Sequence, residues 1–374
     1  MIRTFHVIFG VIWLLIPLTV IHASPSPSEP QLEEIANLCN IGSEPGDAIC
    51  SGTHPGVSTT GQRTLTDSIT TITTGISKAI ALALTPQSLR GSSGTASYQD
   101  TQRTTGYAAG GTFTKWAGWA SYARTTTDNT AFATKSDSSL NSALVGFDVS
   151  PGENMILGLA VGYEDNNIDT EFNAGEQNID GFTIAPYFGY LFHPNASMDI
   201  SAGYSNIDID QFRIDSTNFT SIINGDTDSD RWFVSGNVNA FTRINDFALF
   251  GRFGIIYAED DIDSIVETGG PDAFTTAGTT IEFGQIQVGG EVAYSVAPIE
   301  PYASVFYEYD YEFEKLSLNT ALNPPANDRS DVRFGIGARY FGDYGFSANL
   351  EWSIIAGRDD IDSHTLGLTG RLDF

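Results

Sequence analysis

The closing residues His364–Phe374, H-T-L-G-L-T-G-R-L-D-F, decide how this chain is read. In an extended strand, Leu366, Leu368, Gly370, Leu372 and Phe374 fall on one face. Thr365, Gly367, Thr369, Arg371 and Asp373 fall on the other. Period two with a single apolar face describes a half-buried strand of a soluble sheet. It equally describes the last strand of an outer-membrane barrel, with lipid against the apolar side chains and a hydrated lumen against the polar ones. The rest of the chain separates the two.

At the other end, Arg3 precedes an apolar run from Val7 to Ile21, followed by His22-Ala23 and a Pro/Ser stretch, Ser24–Pro30. That is the layout of a secretory signal peptide over 1–23, with cleavage expected after Ala23. The run is shorter than the roughly 20 apolar residues of a spanning helix. Charged residues are 17% of the 374, below the roughly 25% of soluble domains. A barrel accounts for this, because only alternate positions of its strands are apolar. The net charge of −28 excludes nucleic acid as a partner, since phosphate is bound through clustered Lys and Arg. Cys39 and Cys50 are expected to close one small disulfide loop in an exported chain. A lone pair of cysteines lacks the rest of a zinc ligand set.

Residues 24–65 are rich in Pro, Gly, Ser and Thr and read as irregular. From Thr66 the period changes: Ile69, Ile72, Ile76, Ile80 and Leu84 recur at helical spacing, and Pro86 follows. A helix is expected over 66–84, about 28 Å long and able to occupy a barrel lumen. Residues 85–113 read as a Gly/Ser/Thr-rich linker. From 114 to 374, twelve alternating segments follow, at about 114–128, 136–150, 155–171, 178–193, 196–212, 229–243, 247–263, 280–296, 300–313, 331–342, 345–358 and 364–374. Short turns such as His193-Pro194-Asn195 and Ile244-Asn245-Asp246 alternate with long polar connections, including 213–228, 264–279 and 314–330. Short turns at one end and long loops at the other are the pattern of outer-membrane barrels. The fold class expected is therefore all-β, a 12-stranded antiparallel transmembrane barrel with a preceding α-helix.

The facing rule assigns a lumen lining of both signs: Arg231, Arg243, Arg252, Glu291, Glu308, Arg333, Arg339, Glu351 and Arg371. Such a face is costly in a dry core and expected around water. The stretch Phe182–Leu191 is apolar on both faces and the rule does not orient it. Tyr122, Tyr163, Tyr190, Tyr204, Trp232, Tyr257, Tyr294, Tyr307, Tyr340 and Trp352 suit aromatic girdles. Acidic clusters, among them Glu164-Asp165, Asp208 with Asp210, and Glu259-Asp260-Asp261 with Asp263, recur where strands approach the long loops. They read first as a solvated negative rim. The sharper reading is divalent-cation binding at Asp226, Asp228 and Asp230 or at Asp260, Asp261 and Asp263. D-T-D-S-D lacks the Gly and Glu of a helix–loop–helix calcium site. No nucleophile elbow and no H-E-x-x-H occurs, so neither an enzyme nor a cofactor site is expected.

In these motifs the chain resembles the autotransporter (type V secretion) β-domain. The resemblance rests on Trp116-Ala-Gly-Trp119-Ala-Ser-Tyr122, on Ser139–Asp148 and on Ile156–Tyr163, which look like that family's first three strands. The preceding helix, the aromatic C-terminal strand and the signal peptide belong to the same picture. It implies an outer-membrane location and a helix threading the lumen. It also implies a closing strand (Leu366, Leu368, Gly370, Leu372, Phe374) read by the barrel-assembly machinery. Family members carry a large N-terminal passenger, whereas only residues 24–65 precede the helix here. The function expected is a translocator-like barrel displaying a short segment and its loops. The alternatives are a passive pore for small solutes and an adhesin or receptor acting through the loops. A monomer embedded in outer-membrane lipid is expected, since closure leaves no edge strand.

Overall fold

The computed structural model describes residues 56–84, 115–131, 135–313 and 328–374, less 153, 216, 219, 296 and 297. The signal peptide, the Cys39–Cys50 loop, the linker and most of 314–330 lie outside the described residues. Helix α1 (Gly56–Leu84) precedes strands β1 (Lys115–Asn129), β2 (Ser136–Gly152), β3 (Met155–Thr170), β4 (Gly175–His193) and β5 (Ala196–Ile214). They are followed by β6 (Ile222–Ile244), β7 (Phe247–Ile262), the short β8 (Ile265–Val266) and β9 (Thr275–Thr276), and β10 (Thr279–Tyr294). The chain ends with β11 (Ile299–Phe313), β12 (Ser330–Phe341), β13 (Phe346–Ala356) and β14 (Ile361–Asp373). Every strand except β8 and β9 belongs to one closed antiparallel barrel, which makes twelve. Strand β14 closes it against β1, from Ala117 opposite Asp373 to Asn129 opposite Ile361. The chain therefore enters and leaves the barrel at the end carrying the short turns.

Alternation sets the two faces. On β6, Trp232, Val234 and Val238 point outward and are exposed, while Arg231, Phe233 and Ser235 point inward and are buried. Aromatic side chains gather in two outward belts. Near the loop end, Trp232 and Tyr257 lie 5.3 Å apart, beside Tyr163 and Tyr204. At the turn end, Phe247 meets Tyr294 and Trp116 meets Phe147, with Phe374 against Phe147. Phe182 and Tyr190 of β4 mark both belts on one strand, and that span matches the 9–11 residues of a tilted transmembrane strand.

Above the loop-end belt the chemistry of the two faces inverts while the parity is kept. On β5 the outward side chains change from Ile200, Ala202 and Tyr204 to Asn206, Asp208 and Asp210. The inward ones change from Asp199, Ser201 and Ser205 to Ile207 and Ile209. The belt hydroxyls mark the boundary: Tyr163 donates to Asp180, Tyr204 to Asp230, and Tyr257 to Glu282. The stretch 213–228, expected as a loop, is instead mostly sheet, with β5 and β6 paired up to Ile214 opposite Ile222. Outside lipid the outward positions need not be apolar, so Asp, Asn and Thr there do not signal a turn. The connection 264–279 also carries structure, the β8–β9 ribbon.

Helix α1 starts at Gly56, not at Thr66, so the last part of the segment expected to be irregular is helical. Its 29 residues extend about 43 Å, which spans the lumen.

Candidate functional site

Helix α1 lies in the lumen. Leu65, Ile69, Ile72, Ile76, Ala79 and Ile80 are all but fully buried and share one apolar cluster with inward residues of β1–β7 and β10. Among these are Trp119, Leu144, Ile156, Tyr187, Phe233 and Phe283. Small residues set the distance: a Cβ on Gly75 would stand 2.8 Å from a Leu144 methyl, and one on Gly189 would stand 2.7 Å from an Ile80 methyl. The wall's own aromatics lie over glycines in the same way. Trp119 covers Gly146, Tyr187 covers Gly158 and Phe233 covers Gly203, each so closely that a methyl would overlap the ring.

The helix has a defined direction. Ile80 and Leu84 lie against Gly189 and Ile156, at the turn end. Gly61 lies beside the Ile281 and Ile262 methyls, and Thr60 Oγ1 donates to Gln177 Oε1 at 2.6 Å, both at the loop end. Polar contacts hold it at intermediate heights. Thr127 Oγ1 of β1 donates to Asp67 Oδ2 at 2.9 Å. Lys78 Nζ pairs with Glu351 Oε1 of β13 at 2.8 Å, and Glu351 Oε2 accepts from Tyr302 Oη at 2.8 Å.

The strongest attachment is at Ser68. Its hydroxyl donates to Glu164 of β3 and accepts from Arg231 Nη1 of β6 at 2.7 Å. Arg231 also meets Glu164 Oε1 at 2.8 Å and Asp260 Oδ2 of β7 at 2.9 Å. The three ionic side chains are 1%, 2% and 5% exposed, so their mutual charge is scarcely screened. A second knot sits at the closing seam, where Arg371 of β14 reaches across β1 to Asp148 of β2, at 2.7 and 2.8 Å. Tyr187 Oη donates to the same carboxylate at 2.8 Å and accepts from Trp119 Nε1 at 2.6 Å.

The remaining expected lining residues also face inward. Arg333 pairs with Glu308 at 2.9 Å. Arg339 pairs with Glu291 and packs 4.5 Å from the Phe250 ring centre. Arg252 donates to Asn239 Oδ1 at 3.0 Å. Arg243 sits at the β6–β7 turn and donates to the Asn245 carbonyl. The acceptors Glu308 and Glu291 belong to the expected lining, whereas Glu164, Asp260 and Asp148, which hold Arg231 and Arg371, fall outside it. Glu164 and Asp260, expected in the acidic rim, lie inside the barrel, one residue out of phase with the outward Asp165 and Asp261. Asp148, Asp310 and Asp331, which the expected lining does not include, are also buried on the inward face.

The cation-binding expectation does not assemble. Asp226, Asp228, Asp230 and Asp261 point outward along the sheet and Asp260 inward to Arg231. Asp263 follows the end of β7, its amide bonded to the Asp228 carbonyl. Among the described residues no group of three or more metal-ligating side chains is placed to hold an ion. At the loop end Lys135 pairs with Glu171 at 2.6 Å, and that contact holds its ammonium above the ordinary lysine range.

A helix threaded through a 12-stranded barrel, with both chain ends of the barrel at the turn end, is a specific arrangement. The family model for the autotransporter β-domain matches residues 116–354. The chain belongs to the autotransporter family. No curated protein matches its sequence. Solved autotransporter domains match its fold. The translocator domain of NalP from Neisseria meningitidis aligns at a TM-score of 0.60 and 12% identity, covering 71% of this chain and 90% of that one. The β-domain of BrkA from Bordetella gives 0.55 and 12%, covering 69% and 98%. The transport unit of AIDA-I from Escherichia coli gives 0.52 and 12%, covering 80% and 98%. At such identity the autotransporter domains are alike in fold alone.

Proposed function

We propose that this autotransporter barrel holds its own N-terminal segment threaded through the lumen and displays it, together with the loops, on the cell surface. The observation that carries the reading is the direction of α1, with Leu84 at the turn end and Gly56 at the loop end. A chain running from a surface segment down through the pore, and then into β1 from the periplasmic side, needs that direction. The alternative of an open solute pore has less support, because α1 occupies the lumen and ties into its wall through Ser68, Asp67 and Lys78. On the same reading the aromatic belts lie in outer-membrane lipid, and cleavage after Ala23 precedes assembly. Leu366 to Phe374 is the strand that the assembly machinery reads, and the barrel works as a monomer.

The test places an epitope tag after Gln31 and treats intact cells with protease. Loss of the tag with the barrel intact is expected. A tag that stays protected until the outer membrane is permeabilised overturns the reading.

A further inference from the structure

Toward the loop end, three buried carboxyl groups meet two guanidinium groups. Glu308 and Asp310 lie on β11 and Asp331 on β12, with side chains at most 1% exposed. Arg333 takes both oxygens of Glu308, at 2.9 and 3.1 Å. Arg358, in the turn between β13 and β14, reaches inward and donates to Asp331 Oδ2 at 2.6 Å and to Asp310 Oδ2. Gln287 and Gln285 of β10 donate to Glu308 and Asp310, at 2.6 and 3.0 Å. The neighbouring cations are engaged elsewhere. Arg63 of α1 is taken by Asp67, Lys78 by Glu351 of β13, and Arg329 turns to the Tyr311 carbonyl.

Two observations single out Asp331. It stands directly opposite Glu308 across the β11–β12 ladder, and the two carboxyl groups are in hydrogen-bonding contact. Its Oδ1 is buried without a donor, while Oδ2 is taken by Arg358. Ionised carboxylates only accept, so between two of them this contact is a like-charge repulsion in a site that screens it poorly. One proton removes the conflict. Placed on Asp331 Oδ1, it bonds that atom to Glu308 and leaves Oδ2 to accept from Arg358, so both oxygens of Asp331 are engaged. The cluster then holds two negative and two positive charges.

We propose that Asp331 is a proton-binding site, and that its proton clasps β11 to β12 toward the loop end by bonding Asp331 to Glu308. Loss of the proton sets two buried carboxylates against each other below the β13–β14 turn and loosens that corner of the wall. The clasp holds in mildly acidic medium and weakens as the medium turns alkaline, because the folded barrel binds a proton there that the unfolded chain releases. It is a property of the wall and does not rest on the display reading.

The test uses Asp331→Asn, whose amide donates to Glu308 and accepts from Arg358 at any pH. The first measurement is the infrared spectrum of the full-length barrel in detergent micelles, from about pH 8 to about pH 5. A protonated-carboxyl band should grow as the pH falls, shift when aspartate is isotopically labelled, and lose one component in Asp331→Asn. The second measurement is the unfolding half-life at a fixed temperature, read on semi-native gels. Native protein and Asp331→Asn should unfold alike at about pH 5, whereas at about pH 8 the variant should unfold about tenfold more slowly. Asp165→Asn, at an outward position of β3, should leave the native pH profile unchanged. The labelled native spectrum carries the result if Asp331→Asn does not fold. A labelled spectrum with no titrating aspartic-acid band, or a band that persists whole in Asp331→Asn, overturns the proton. A half-life ratio that is the same at both pH values overturns the clasp.

Discussion

Replacing Arg231 by Gln would test the idea that α1 is fixed to the wall by a buried charge cluster. In the native barrel the guanidinium neutralises Glu164 and Asp260 and donates to Ser68 of the helix. Glutamine keeps part of the volume and removes the charge, leaving two carboxylates at 2% and 5% exposure with hydroxyl donors from Ser68 and Ser229 and no cation. Removing one partner of a buried ionic cluster costs about 3–5 kcal/mol. At roughly 2–4 °C per kcal/mol for a unit of this size, the folded band should melt about 6–20 °C earlier. The assay is the temperature at which the compact barrel converts to the unfolded form on semi-native gels. Arg231→Met combined with Glu164→Gln and Asp260→Asn should recover most of the loss, because no charge is then stranded. A melting temperature for Arg231→Gln within about 2 °C of the native value would refute the reasoning, since the cluster would then be hydrated and screened.

Two further outcomes follow from the same lumen. Lys78→Met removes a pair whose side chains are 19% and 16% exposed, so screening limits the loss to about 1 kcal/mol. That raises the undocked helix population roughly fivefold, read as more frequent brief openings in planar bilayers; an unchanged opening rate contradicts it. Gly146→Val drives a side chain into the Trp119 ring and breaks the Trp119–Tyr187 hydrogen bond. Overpacking costs about 1–3 kcal/mol, so melting should fall with a red-shifted tryptophan emission, and an unaltered melting curve sinks it.

The strands were legible because lipid and water impose a period of two, and belt-to-belt stretches such as Trp232–Val238 carry it cleanly. Phe182–Leu191 resisted because the wall turns apolar wherever the helix packs. Ala185 and Tyr187 face α1, so both faces of β4 read as lipid-facing. The first turns of α1 resisted for the opposite reason. Val57, Ser58, Thr59 and Thr60 are poor helix formers with no apolar period, so lumen contacts such as Thr60–Gln177 must sustain what propensity does not. The extended β5–β6 hairpin escaped because its outward residues above the belt are those of a solvated loop. Charged lining residues were readable from parity, and with them the acceptors Glu308 and Glu291; Glu164 and Asp260 were not, because they lie in acidic runs where only phase separates inside from outside.

The Arg371–Asp148 pair lies across the seam rather than within a hairpin. Asp148 belongs to an early hairpin and Arg371 to the strand that closes the ring, so every sheet that lacks β14 carries that carboxylate without its cation. Partly zipped intermediates are penalised by the same contact that rewards the finished ring, which sharpens closure toward an all-or-none event. A barrel one register out at the seam would also move Arg371 to the wrong face, so the pair acts as a proofreading contact for the final weld.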